Sequence, residues 1–101
     1  MDDTSRFPIV GQIVKVLRGR DQGKFAVIIG FADERFALIA DGDKRKFDQP
    51  KKKNLLHLEF HDEICPEVVD SIQETGRVTN GKLRFVISRY VNEQIDAQKG
   101  E

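Results

Sequence analysis

A chain of 101 residues, 39% hydrophobic and 34% charged, has the makeup of one small folded domain with a charge-rich surface. A single cysteine, Cys65, excludes an internal disulfide, and no apolar run approaches the roughly 20 residues of a membrane span. The net charge is zero, yet residues 1–60 carry +3 and residues 61–101 carry −3, an asymmetry expected of a polyanion-binding half joined to a part that limits or directs it.

The first residues, Met1-Asp2-Asp3, are acidic where a signal peptide carries cations, so the expected setting is reducing and cytoplasmic. Asp2 to Arg6 reads as a loose tail, and Phe7-Pro8 as the start of ordered structure. Val10 to Leu17 reads as a strand, with Gln12, Val14 and Val16 on one face and Ile13, Lys15 and Leu17 on the other. Apolar groups on both faces suit a curved strand of a small barrel. A basic loop follows, Arg18-Gly19-Arg20-Asp21-Gln22-Gly23-Lys24, whose glycines permit a tight turn at positive φ.

Phe25 to Phe31, rich in β-branched and aromatic residues, is a second strand. Ala32 to Glu34 turns the chain into a third, Arg35 to Ala40. Asp41-Gly42 is the strongest hairpin signal and introduces a short fourth strand, Lys44 to Phe47. Pro50 and the lysines after it read as a loop. In the fifth strand, Leu55 to Phe60, Leu56, Leu58 and Phe60 alternate with His57 and Glu59. Five short, closely spaced strands imply a barrel rather than a βαβ fold.

The pattern then becomes helical. Pro66 suits a first helical turn, Val68, Val69 and Ile72 share one face, and Gly76 is a stop signal. Thr79 or Asn80 can cap a second helix, along which Leu83, Val86, Ile87, Tyr90 and Val91 form an apolar stripe. That helix should end near Gln98, with Gly100-Glu101 frayed. The fold class is mainly β with C-terminal α: a five-stranded SH3-like barrel over residues 7–62 and a helical extension over 63–98 packed on it.

The first 60 residues resemble a KOW domain, a small SH3-like barrel of ribosomal proteins and transcription elongation factors. The resemblance rests on Gly11, Ile13-Val14-Lys15-Val16, Gly19, the Arg20-Asp21-Gln22-Gly23-Lys24 loop and Ala26-Val27-Ile28-Ile29. With Lys53 to Glu59, ending His57-Leu58-Glu59, the chain is most similar to the single-KOW, eukaryotic-type large-subunit ribosomal protein fourteen family. The resemblance implies RNA, specifically ribosomal RNA, as partner. Core ribosomal proteins are strongly basic, whereas this chain is neutral and adds two helices, so a core protein and a ribosome-associated accessory factor are both open.

The residues expected to grip RNA phosphates are Arg18, Arg20 and Lys24 in the loop, with Lys44, Arg45, Lys46, Lys51, Lys52 and Lys53 beyond it. Residues 44–53 hold six cations and one acid, Asp48. The competing reading of these runs is a solvated hairpin whose Asp21 pairs with a neighbouring arginine, and lysines that guard a strand edge. Phe25, Phe31, Phe36 and Phe47 read as core, with Phe47 alone a candidate for stacking on a base. His57, Glu59, His61 and Cys65 are a weak metal pattern without a second cysteine, and no metal or other cofactor is assigned.

No Ser/His/Asp set, P-loop or HExxH motif is present, so no catalytic residue is assigned and the chain is not expected to be an enzyme. The helical stripe serves either as core or as a docking face for ribosomal or other proteins. The rival function is an SH3-like protein-interaction module in transcription or translation. No membrane partner is expected.

Overall fold

β-Branched runs make strands only where a neighbour accepts their hydrogen bonds, and here each strand finds one. The computed structural model describes residues 8–99, with side chains through 95; the readings for Asp2 to Phe7 and for Gly100-Glu101 fall outside this range. The elements are β1 (Gln12–Val16), β2 (Phe25–Phe31), β3 (Phe36–Ala40), β4 (Lys51–Asn54), a 3-10 turn (Leu55–His57), β5 (Leu58–Ile64), α1 (Pro66–Thr75) and α2 (Asn80–Lys99). The sheet is antiparallel in the order β4-β3-β2-β1-β5. The class is therefore mainly β with two C-terminal helices, as expected. The sheet is not closed by hydrogen bonds into a barrel, because β4 and β5 are its two edges.

Both faces of the sheet are apolar because each covers a separate core. Val14, Val16, Ala26, Ile28, Ala37, Ile39 and Leu58 form one buried cluster, with Leu55 packed against it. Ile13, Val27 and Ala40 point the other way and meet Cys65, Val68, Val78, Leu83, Val86 and Tyr90 from the helical half. The period-2 alternation of a strand makes this division. Gln12 is fully buried yet satisfied: its Oε1 accepts from the Ile9 amide at 3.2 Å and its Nε2 donates to the His61 carbonyl at 3.1 Å. The register of β1 against β5 slips between Gln12 and Val14, and the Gln12 side chain serves this irregular stretch.

Three expectations need correction. Lys44 to Phe47 is not a strand, because the Asp41 carboxylate accepts from the amides of Asp43 (2.8 Å) and Arg45 (2.9 Å). Such an Asx turn diverts the amides that a ladder would need. The fourth strand is instead the lysine run, Lys51–Asn54, paired with β3 through Ile39↔Lys51, Leu38↔Lys52, Ala37↔Lys53 and Phe36↔Asn54. The fifth strand starts at Leu58 rather than Leu55, since the Asn54 side chain caps the Leu56 amide at 2.8 Å and winds Leu55–His57 into the 3-10 turn.

The helices follow their sequence signals. Pro66 opens α1, and Gly76 ends it at φ +77°, donating its amide to the Ile72 carbonyl at 2.8 Å. Thr79 caps α2 by accepting from the Lys82 amide at 3.1 Å, which leaves the Asn80 side chain for another use. Arg89 binds Glu67 through two nitrogens, at 2.6 and 3.1 Å, and joins α2 to α1. No helix among the described residues is long and apolar enough to cross a membrane.

Candidate nucleic-acid interface

Antiparallel order gathers the cations. β1 ends, β2 begins, β3 ends and β4 begins at the same end of the sheet, so the 17–24 loop, the 41–50 connection and Lys51 all belong to it. The loop is closed by backbone bonds from the Gly23 amide to the Val16 carbonyl (2.7 Å) and from the Val16 amide to the Lys24 carbonyl (2.9 Å). Gly19 and Gly23 stand at φ +99° and +88°. Arg18, Arg20 and Lys24 are exposed and make no ion pair among the described residues.

Two long-range contacts hold this loop to the other cationic segments. Lys53 Nζ donates to the Arg18 carbonyl at 2.7 Å, crossing from β4 to the loop. A Cβ at Gly19 would fall 2.8 Å from that ammonium, so glycine leaves room for it. Arg45 Nε donates to Asp21 Oδ2 at 2.9 Å, and Asp21 is buried, only 9% exposed. Asp21 does pair with an arginine, but not with a neighbour in a solvated hairpin: the carboxylate is buried and its partner, Arg45, comes from the 41–50 connection, 24 residues along the chain.

Burial alone would raise the Asp21 carboxyl, but the hydrogen bond from Arg45, with the charges of Arg45, Lys44 and Lys24, outweighs it and holds the group below the usual value. A carboxyl lowered on folding adds stability that is complete above its unfolded pKa and is lost as pH falls through the folded one. Melting temperatures measured from pH 7 down to about pH 3 should therefore fall more for the native chain than for Asp21→Asn, by an amount worth about 1 kcal/mol. Equal acid sensitivity would remove this role for Asp21.

The remaining candidates are arranged differently. Lys44 and Lys46 are exposed on the connection, and Lys51 and Lys52 on the edge strand. Lys52 alternates away from Lys51 and Lys53 and lies with its Nζ 5.0 Å from the centre of the Phe36 ring. Edge protection and anion binding are compatible here, since an edge strand exposes its lysines to solvent as well. Phe47 is no free platform: it packs against the helical core, its amide is held by Asn80 Oδ1 at 2.8 Å, and Arg77 lies 5.0 Å over its ring.

Sequence reasoning missed the residues that order the connection. Asn80 holds Phe47, Arg84 Nη1 donates to the Gly42 carbonyl at 2.6 Å, and Arg77 Nη2 donates to Asp48 Oδ1 at 2.6 Å. The acidic half therefore reaches the basic end through cations and an amide. The one signal in the sequence was the doublet Thr79-Asn80, of which a helix needs only one as its cap.

The weak metal pattern is dispersed. His57 lies in the 3-10 turn, off the strand. His61 uses Nδ1 with the Tyr90 hydroxyl (2.7 Å) and Nε2 with Glu59 Oε1 (2.9 Å), inside an edge-to-face cluster with Phe25 and Tyr90. Cys65 is buried at the start of α1, its thiol pushed up to about 11 by burial and by Glu63 and Glu67. Such a thiol stays protonated at neutral pH and is a poor ligand. The described residues hold no group of three or more His, Cys, Asp or Glu placed to share a metal ion.

No family model matches the chain. It is 44% identical over 72 residues, covering 71% of its own length and 97% of the other's, to a protein of Bacillus subtilis (strain 168) named "Putative ribosome-binding protein YbzG".

Proposed function

The chain belongs to the family of YbzG, and from that membership and the clustered cations we propose that it is a non-catalytic, ribosome-associated RNA-binding protein of the cytoplasm. The carrying observation is the meeting of the 18–24 loop with Arg45 and Lys53 at one end of the sheet. Arg18, Arg20, Lys24, Lys44, Lys46, Lys51 and Lys52 face solvent there or on the adjoining edge. Arg45 and Lys53 position the loop while adding charge. This array grips the phosphates of ribosomal RNA in the manner of a KOW domain, and any specificity comes from RNA shape or unpaired bases, since the A-form major groove resists side chains.

A rigid scaffold supports this use, because ordered loops bind without a large entropic cost. The rival, an SH3-like protein-interaction module, draws on exposed apolar groups of the helical half, with Phe85 57% and Ile95 45% exposed. Sedimentation of a cell extract separates the two. The protein should co-migrate with large subunits in about 50 mM salt and move to the light fractions in about 200 mM, because phosphate contacts weaken steeply with salt. Recovery only in the light fractions at low salt would overturn ribosome association, and salt-independent co-migration would favour the protein-interaction module.

A further inference from the structure

Next to the cationic end, between the sheet and α2, lies an open cleft of about 310 Å³. Its apolar wall is made by Phe25, Ile87 and Val91, and its rim by the carboxylates Asp41 and Asp43 and the cations Lys24 and Arg84. Phosphate gripping uses none of this except Lys24. We propose that the cleft receives an unstacked guanine base of the bound RNA, an inference that rests on the RNA-binding reading above.

Position is the first argument. Lys24 belongs both to the exposed loop and to the cleft, so a backbone phosphate held at the loop brings its nucleotide to the mouth. Sequence-specific RNA recognition uses such splayed bases, held on apolar surfaces and read at their pairing edges. Polarity is the second. Asp41 uses Oδ1 for the amides of Asp43 and Arg45, and its Oδ2 and both oxygens of Asp43 accept no hydrogen bond among the described residues. Ionised carboxylates only accept. Guanine alone presents two adjacent donor groups, N1–H and the N2 amino group, on its pairing edge, with the acceptor O6 beside them. Adenine, cytosine and uracil each present one donor group there. The carboxylates match the donors, and Lys24 or Arg84 matches O6. Arg84 is held at the rim by its bond to the Gly42 carbonyl at 2.6 Å.

The test measures binding of fluorescein-labelled short oligouridines, unsubstituted or carrying one central G, A or C, by anisotropy on the full chain. The oligomer with G should bind about tenfold more tightly than the other three. Asp43→Asn, at an exposed position, should abolish that preference, and so should Ser88→Phe, which fills the cleft from α2. Ser88→Phe should leave the salt-sensitive binding of plain oligouridine unchanged, and Asp43→Asn, which removes a negative charge beside Lys24 and Lys44, should not weaken it. Equal affinity for all four, preference for A or C, or a G preference that survives both variants would overturn the cleft assignment while leaving phosphate binding standing. Absence of salt-sensitive binding to every oligomer and to large subunits would overturn both.

Discussion

Gly42→Ala is expected to lower the melting temperature by about 12–24 °C, read by circular dichroism. Gly42 is buried at φ +82°, a conformation that costs other residues about 1 kcal/mol or more. A Cβ there would collide with the Asn80 carbonyl oxygen and come within 3.0 Å of Leu83 Cβ. The first obstacle is backbone and cannot rotate aside, so the connection or the start of α2 must move. That motion also strains the bonds from Arg84 to the Gly42 carbonyl and from the Phe47 amide to Asn80. Overpacking of this kind adds about 2 kcal/mol, for a total of about 3 kcal/mol, and in a domain of this size each kcal/mol is worth about 4–8 °C.

Gly23→Ala is the matched control. Gly23 also has positive φ, +88°, but nothing lies within 4 Å of its would-be Cβ. It should lose only the conformational term, about 1 kcal/mol or about 4–8 °C. Equal shifts for the two variants would mean that Gly42 does not seat the connection on α2.

Removing Arg20, Lys24 and Lys44 together, each to alanine, should weaken binding to large subunits by at least about tenfold at low salt. The slope of log affinity against log salt should flatten by roughly 0.7 for each single-stranded phosphate left without its cation and roughly 0.9 for each duplex phosphate. All three side chains are exposed and unpaired among the described residues, so the melting temperature should hold. Arg45→Ala behaves differently on the same reasoning: it removes charge and also strands the buried Asp21 carboxylate, so stability and binding fall together. Unchanged subunit binding and salt slope in the triple variant would sink the phosphate-gripping role.

Much of the fold was legible because its signals are local. The β-branched and aromatic run Phe25 to Phe31 is a strand over those same residues, α1 opens at Pro66, and Gly76 ends that helix as a left-handed cap. The misplaced fourth strand shows where local signals stop. Three consecutive lysines have low β propensity, and Lys51–Asn54 is a strand because β3 offers it a register. Lys44 to Phe47 follows the stronger hairpin signal, but Asp41 claims two nearby amides and Asn80 claims a third from 33 residues away. The same holds for Phe47, whose partners Arg77 and Asn80 come from the helical half.

The candidate interface divides along the same line. Three cationic segments, the glycines that shape the first of them and the excess of acids over cations in the C-terminal part are all read directly from the residues, because charge, turn chemistry and periodicity are written residue by residue. Which cations reach the loop is set by the folded chain, with Arg45 reaching Asp21 across 24 residues and Lys53 reaching the Arg18 carbonyl across 35. The fold also sets that two of the nine cations hold the loop in place. Such contacts depend on strand order and register, and electrostatic and hydrogen-bond energies follow distance through space rather than separation along the chain.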